Sequence, residues 1–449
     1  MKLITKFYVV LIALTLIGSQ LRAQNYIDNW PNWRGPNFDG NSPNGTPPTE
    51  WSETKNIKWK TPIPGKGLGT PIVWGDQIFI TTAIELDEKA TEEAIKKLKK
   101  THPTFMKVMG MSGTTENLLQ FVVYSINRET GEINWQKVVR EQFPYEGMND
   151  QGSWASASCV TDGEHMIAHF GSYGTYCFDM NGTLIWETDL GDMKIYNAFG
   201  EGSSPFIYKD KLVIVWDHLE QSKIFVLNKI TGKEVWQKDR KEASTWVSPI
   251  VVEINGKDQI IVPGDVKSFG YDLENGDIIW ELAGLGAGPI SCPVFDGERA
   301  FLMSGYGKVK IIQAVNLKTA KGDIENTESV VWTIEKITSY VPSPLLVNDK
   351  LYFLRGSFSV LTCVDTKTGK IFYETQKPKG MGGAYASPVS ANGNIYILDR
   401  KGNSSVIKEG TNFKVIATNK LDDNFDSSPV VVGKDLFLRG YKSLYCISE

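Results

Sequence analysis

The feature that most constrains this chain is a short phrase, Ser or Thr followed by Pro and an apolar or β-branched run, which recurs along most of its length. It stands at Thr70-Pro71, Ser204-Pro205, Ser248-Pro249, Ser343-Pro344, Ser387-Pro388 and Ser428-Pro429, with Cys292-Pro293 and Ser156-Ala157 as variants. From Ser156 onward the anchors lie 48, 44, 44, 51, 44 and 41 residues apart, the period of a four-stranded blade in a β-propeller. Eight anchors predict eight blades. The longer gap of 86 residues between Thr70 and Ser156 places an insertion, residues 85–117, in the first blade.

Each period repeats an internal order as well. An apolar strand follows the anchor, then a second strand such as Gln77–Ile80 or Lys350–Leu354, a third ending in Asp or Asn, a tight turn, and a Trp. Asn127–Trp135, Asn228–Trp236 and Asp272–Trp280 each carry this hairpin signature. Gly at the turn supplies the positive φ, and the Asp or Asn bonds the backbone beyond it. The Trp column, Trp135, Trp186, Trp236, Trp280 and Trp332, with Tyr373 in the sixth blade, is expected to pack between blades. The last blade runs out of chain at Glu449 after three strands, and Asn56–Lys60, with Trp59 in the right place, resembles its missing fourth. The expected fold is therefore all-β: an eight-bladed β-propeller of four-stranded antiparallel blades over residues 56–449, closed by an N-terminal strand, with one helical insertion and a lead-in at residues 24–55. Closure removes the open sheet edge that would otherwise template aggregation.

Two lysines, an apolar run from Phe7 to Gly18 and a small residue at Ala23 read as a cleaved signal peptide over residues 1–23, because a spanning helix needs about twenty apolar residues. The expected location is periplasmic or secreted, with no stable membrane insertion after cleavage. A net charge of -4 with mixed signs gives no reason to propose nucleic acid as partner.

The pattern of third strand, Asp or Asn, Thr-Gly turn and Trp resembles the pyrrolo-quinoline-quinone (PQQ) repeat. That resemblance implies two branches: quinoprotein alcohol dehydrogenases, and non-catalytic scaffolds of outer-membrane protein assembly. The segment Trp30–Gly40 also resembles the lead-in of exported bacterial propellers of this type. For the enzyme branch the resemblance implies an adjacent Cys pair under the quinone, a Trp floor, a calcium site, an Asp base and often a c-type haem. Cys159, Cys177, Cys292, Cys363 and Cys446 are never adjacent, and no Cys-x-x-Cys-His occurs. Cys177, Cys363 and Cys446 fall in one column of third-strand positions with Ser125, Val226, Gly270 and Ala314, as small core residues. Five buried free thiols are expected. His165 and His169 share one side of a strand, but a zinc site there would need further ligands, so no metal is assigned.

Loops entering strand one and leaving strand two share one face in this geometry. They bring Trp154, Glu201, Trp246, Tyr340, Tyr385 and Asp426, and His218, Arg355, Arg400 and Arg439, to a channel mouth. Arginines beside aromatic rings suit a planar or anionic ligand. PQQ with calcium in an atypical oxidoreductase site therefore stays open as an alternative, as does carbohydrate or polymer binding through Trp154, Trp246 and Tyr385. The insertion leaves from the same face. Asp87–Lys100, acidic early and basic late, is expected to form a helix, and the Met-rich Phe105–Met111 to offer an adaptable contact surface. The leading expectation is a non-enzymatic exported propeller that binds another envelope protein or a small ligand.

Overall fold

A computed structural model of the chain describes residues 26–101, 111 and 113–449. The expected signal segment 1–23 and most of the Met-rich stretch lie outside the described residues.

Eight sheets succeed one another along the chain, spanning residues 72–142, 160–188, 206–239, 250–283, 294–335, 345–376, 389–420 and 430–447. Each is an antiparallel meander of consecutive strands, and the expected eight-bladed propeller is what forms. The closing strand Ile57–Pro62 pairs antiparallel with Ser443–Ile447, placing Trp59 opposite Cys446. Two blades carry a fifth strand. Asn41–Ser42 adds in parallel to Val389–Ala391, and Gly322–Asp323 adds to the outer strand of the fourth blade at Trp280. The latter comes from an excursion in the fifth blade and accounts for the long 51-residue spacing there.

At the centre the anchors do more than begin a strand. The backbone N–H of Thr70 donates to Ser158 Oγ, and that of Ser158 to Ser204 Oγ; the series continues through Ser248, Cys292, Ser343, Ser387 and Ser428. Ser428 N–H then donates to Thr70 Oγ1 at 3.1 Å and closes the circle. Every blade thus satisfies a buried donor of the blade before it, and only a residue with a short polar side chain serves at that position. The second anchor is Ser158, where the repeat phrase suggested Ser156. Ser156 donates instead to Ser153 O and stands outside the ring.

The outer repeat has an equally local cause. Trp135, Trp186, Trp236, Trp280, Trp332 and Trp59 lie directly opposite Ser125, Cys177, Val226, Gly270, Ala314 and Cys446, and Tyr373 lies opposite Cys363. Small residues fill this column because a large ring faces them. The indole N–H of Trp59, Trp186, Trp236 and Trp332 donates to the carbonyl just past the turn-opening Asn or Asp of the next blade, Arg128, Lys229, Leu273 and Thr366. The Gly of that turn is doubly required. Gly131 has φ 76°, and a Cβ there would meet Trp59 at 2.6 Å.

In the insertion the second strand of blade one runs on to Lys89, so the helix spans Glu92–Thr101 and starts five residues later than Asp87. Lys89 pairs with Asn117, and Thr91 Oγ1 caps the helix by accepting from Ala94 N–H. Strand pairing and a Thr cap outcompete the helical charge pattern over Asp87–Lys89.

Candidate functional site: a cavity floored by the N-terminal strap

Strand one of each blade runs from the mouth toward the opposite face, and the lead-in crosses the channel at that far end. Trp30 bridges Val73, Thr161 N–H donates to Pro31 O, and Phe38 packs edge-on against Phe206 at 5.1 Å. Leu346 and Ser390 donate to the carbonyls of Asp39 and Gly40, and Ser42 Oγ donates to Val431 O. Six blades are touched by one short strap. Arg34, fully buried, donates to Pro344 O at 2.6 Å and Pro388 O at 3.1 Å; burial pulls its pKa down to about 10. Gly40 has no side chain because Arg34 fills its place, Nη2 standing 2.2 Å from where a Cβ would be.

Above the strap a cavity of about 510 Å³ opens toward the mouth. Trp33 lines it from the strap, and ring anchors including Thr70, Ser158, Ser248 and Cys292 line its sides. Its wall has two unlike arcs. Phe199, Trp246, Tyr306 and Tyr340, with Tyr385 beyond, bring aromatic rings from the loops of blades two to seven. Tyr306 and Tyr340 stack at 5.4 Å and 20°, and Phe199 lies 6.2 Å from Trp246. The loops and anchors of blades eight, one and two, with Asp426, Ser428, Thr70, Asn149, Gln151 and Ser158, make a polar arc.

Five of the sequence-selected residues, Glu201, Trp246, Tyr340, Tyr385 and Asp426, therefore line one cavity. Trp154 sits in a small adjoining recess with Glu201 and Tyr173. Arg400 reaches the rim, but Nε and Nη2 hold Asp426 at 2.7 and 2.9 Å, Nη1 donates to Gln151 at 2.6 Å, and its guanidinium lies 4.1 Å over Tyr385. The remaining cations are elsewhere. Arg439, 2% exposed, donates to Gly69 O and Thr81 O, its pKa drawn down by burial to about 10. His218 is a buried connector between Lys194 N–H and Gln221 O, and Arg355 is exposed outside the cavity lining. Of the four expected cations only Arg400 reaches the rim, and among the described residues that line the cavity there is no Lys, Arg or His.

Glu201 belongs to a tight network. It accepts from Ser172 N–H at 2.8 Å, Ser172 Oγ at 2.6 Å and Tyr145 OH at 2.5 Å. Burial nonetheless outweighs these bonds and pushes its carboxyl up to about 7; nearby Glu146 is raised to about 7 for the same reason. Sequence reasoning missed Trp33, Phe199, Tyr306 and Met111, which also line the cavity. For Trp33 a signal existed in the aromatic and Gly-rich run Trp30–Gly40. Met111 arrives from the insertion, held where its carbonyl accepts from Asp150 N–H.

Residues 119–375 match the family model described as outer membrane protein assembly factor BamB. The chain belongs to this family. Among solved structures, this BamB-family chain is similar to BamB from Moraxella catarrhalis at 13% identity, covering 81% of this chain and 98% of that one with a TM-score of 0.53. It is also similar to a europium-containing methanol dehydrogenase at 11% identity, covering 92% and 90% with a TM-score of 0.59. At these identities the likeness is one of fold. No curated protein matches the sequence.

The residues of this BamB-family cavity differ from those that the quinone of the wider fold would need. Cys292 has no vicinal partner and its sulfur accepts Ser248 N–H within the ring. No lining cation would hold a quinone's carboxylates, and Asp426 is already clamped by Arg400. Calcium takes six to eight oxygen ligands including carboxylates, whereas the described residues hold no cluster of three or more His, Cys, Asp or Glu arranged for a metal. The residues do not fit quinone and calcium.

Proposed function

We propose that this protein is an exported, non-catalytic propeller of the cell envelope that works as a binding module, and that the strap-floored cavity with its mouth loops is its working surface. One observation carries the reading: the channel is shut at one end by Trp33 and Arg34, and the blind cavity that remains is aromatic-lined and lacks the groups of quinone chemistry. A cavity of this size falls in the range of about 300–1,000 Å³ usual for ligand sites. Membership of the assembly-factor family supports an envelope role with protein partners. No helix among the described residues is long and apolar enough to cross a membrane.

The test places a photo-crosslinking amino acid at Tyr306, on the cavity wall, or at Ile230, half-exposed on the strap side, in cells that express the full chain. Adducts of defined mass at Tyr306 and none at Ile230 are expected. Adducts at Ile230 alone would assign the working surface to the other face. Purified protein given quinone and calcium is expected to acquire no bound chromophore and to reduce no dye, and turnover would overturn the non-catalytic reading.

A further inference from the structure

Resting on the reading that the cavity is the binding site, we infer that its ligand is a neutral carbohydrate, an oligosaccharide fragment whose sugar rings lie against the aromatic arc and whose hydroxyls meet the polar arc. The two arcs carry the inference. Phe199, Trp246, Tyr306 and Tyr340 follow one another around one side of the wall, and Gly288 sits where a Cβ would lie 3.2 Å from Tyr306 and 3.5 Å from Trp246. A glycine at that point keeps the aromatic surface continuous.

The other arc is built from groups that both donate and accept. Asn149 and Gln151 offer amides, and Ser156, Ser158 and Ser428 offer hydroxyls. A pyranose has matching faces, C–H groups on one side of the ring and equatorial hydroxyls around its edge. Burying its apolar face on aromatic rings removes C–H surface from water, and each hydroxyl lost from solvent needs a partner of the kind the polar arc supplies.

Electrostatics removes the other classes. An anion meets no lining cation to neutralise it. Organic cations would be drawn by aromatic faces and acids, but Asp426 is already neutralised by the bidentate Arg400, and Glu201 lies where burial favours its uncharged form. The net field on the cavity is therefore small, which suits an uncharged ligand.

Full mature protein would be titrated with a panel of neutral di- to tetrasaccharides of glucose, galactose, mannose, xylose and N-acetylglucosamine, with choline and glucuronate as charged comparators, by saturation-transfer NMR and tryptophan fluorescence. At least one neutral sugar is expected to receive transfer at its ring C–H protons. Tyr306→Ala, at a half-exposed loop position, should weaken that sugar by roughly tenfold, about 1.4 kcal/mol. Trp246→Ala should do the same, with an unchanged thermal midpoint confirming that Tyr306→Ala still folds. No binding by any neutral sugar up to about 10 mM, or binding untouched by both substitutions, overturns the carbohydrate reading. Choline or glucuronate binding in place of sugar also overturns it, yet leaves the cavity as the working surface; adducts confined to Ile230 in the crosslinking experiment would sink both.

Discussion

Replacing Ser158 by Ala removes one acceptor from the central ring and nothing else of size. Thr70 N–H loses the oxygen it meets at 2.8 Å, in a pair only 4% and 3% exposed. An unsatisfied buried donor costs about 1–3 kcal/mol. Unfolding entropy is about 2.1 cal/mol/K per residue, so a ring of this size gains roughly 0.9 kcal/mol per degree at its midpoint, and the expected fall in Tm is about 1–3 °C. Ser156→Ala is the matched control, two residues away in the same phrase, partly exposed and bonded only to Ser153 O; its expected effect is within about 0.5 kcal/mol. Scanning calorimetry of both variants at one scan rate resolves the difference. Equal shifts in the two variants, or a larger one for Ser156→Ala, would refute the ring as the device that joins the blades.

The carboxyls of Glu201 and Glu146 are raised from 4.5 to about 7, so the folded state holds more protons than the unfolded one between these values and stability falls as pH rises through about 7. Glu201→Gln should flatten that decline between pH 6 and 8 in a series of thermal scans, and an unchanged slope would argue against the network. Deleting residues 24–62 removes the partner of Ser443–Ile447 and exposes an unpaired edge, so gel filtration should show oligomers or aggregate; a monomer of unaltered Tm would count against closure. All five cysteines are buried and free, and burial raises the pKa of each. Ellman's reagent should therefore find almost no reactive thiol in the native protein and five after denaturation, and rapid native labelling would place a thiol at the surface.

What the sequence disclosed follows from how local each structural problem is. The turn glycines, the Trp column and the small residues opposite it are each solved inside one period, by contacts between adjacent strands or adjacent blades. They recur, so blade count, closure at Trp59 and the outer packing can be read from the chain. The anchor of blade two was misplaced because Ser156 and Ser158 both fit the phrase in Ser156–Cys159, and only the bond to Thr70 N–H separates them. The mouth was half legible. Its aromatic loops follow from strand direction, whereas the state of Arg400 depends on Asp426, which enters from a different loop, and that pairing turns an anion site into a near-neutral one.

The floor was hidden for a stronger reason. Arg34 bonds to carbonyls 310 and 354 residues away in sequence, and no periodicity marks a contact made once. Yet those contacts decide what the propeller can do, since an open channel and a blind cavity present different chemistry to a ligand. The carbonyls that Arg34 takes are those of Pro344 and Pro388, the residues just after two ring anchors. The strap therefore reads the same repeat that holds the blades together, and the floor is tied to the innermost circle of the fold rather than laid over its rim. A ligand pressing on Trp33 bears on a segment fixed to six blades, which gives the cavity a stiff base and leaves the mouth loops as the part able to adapt.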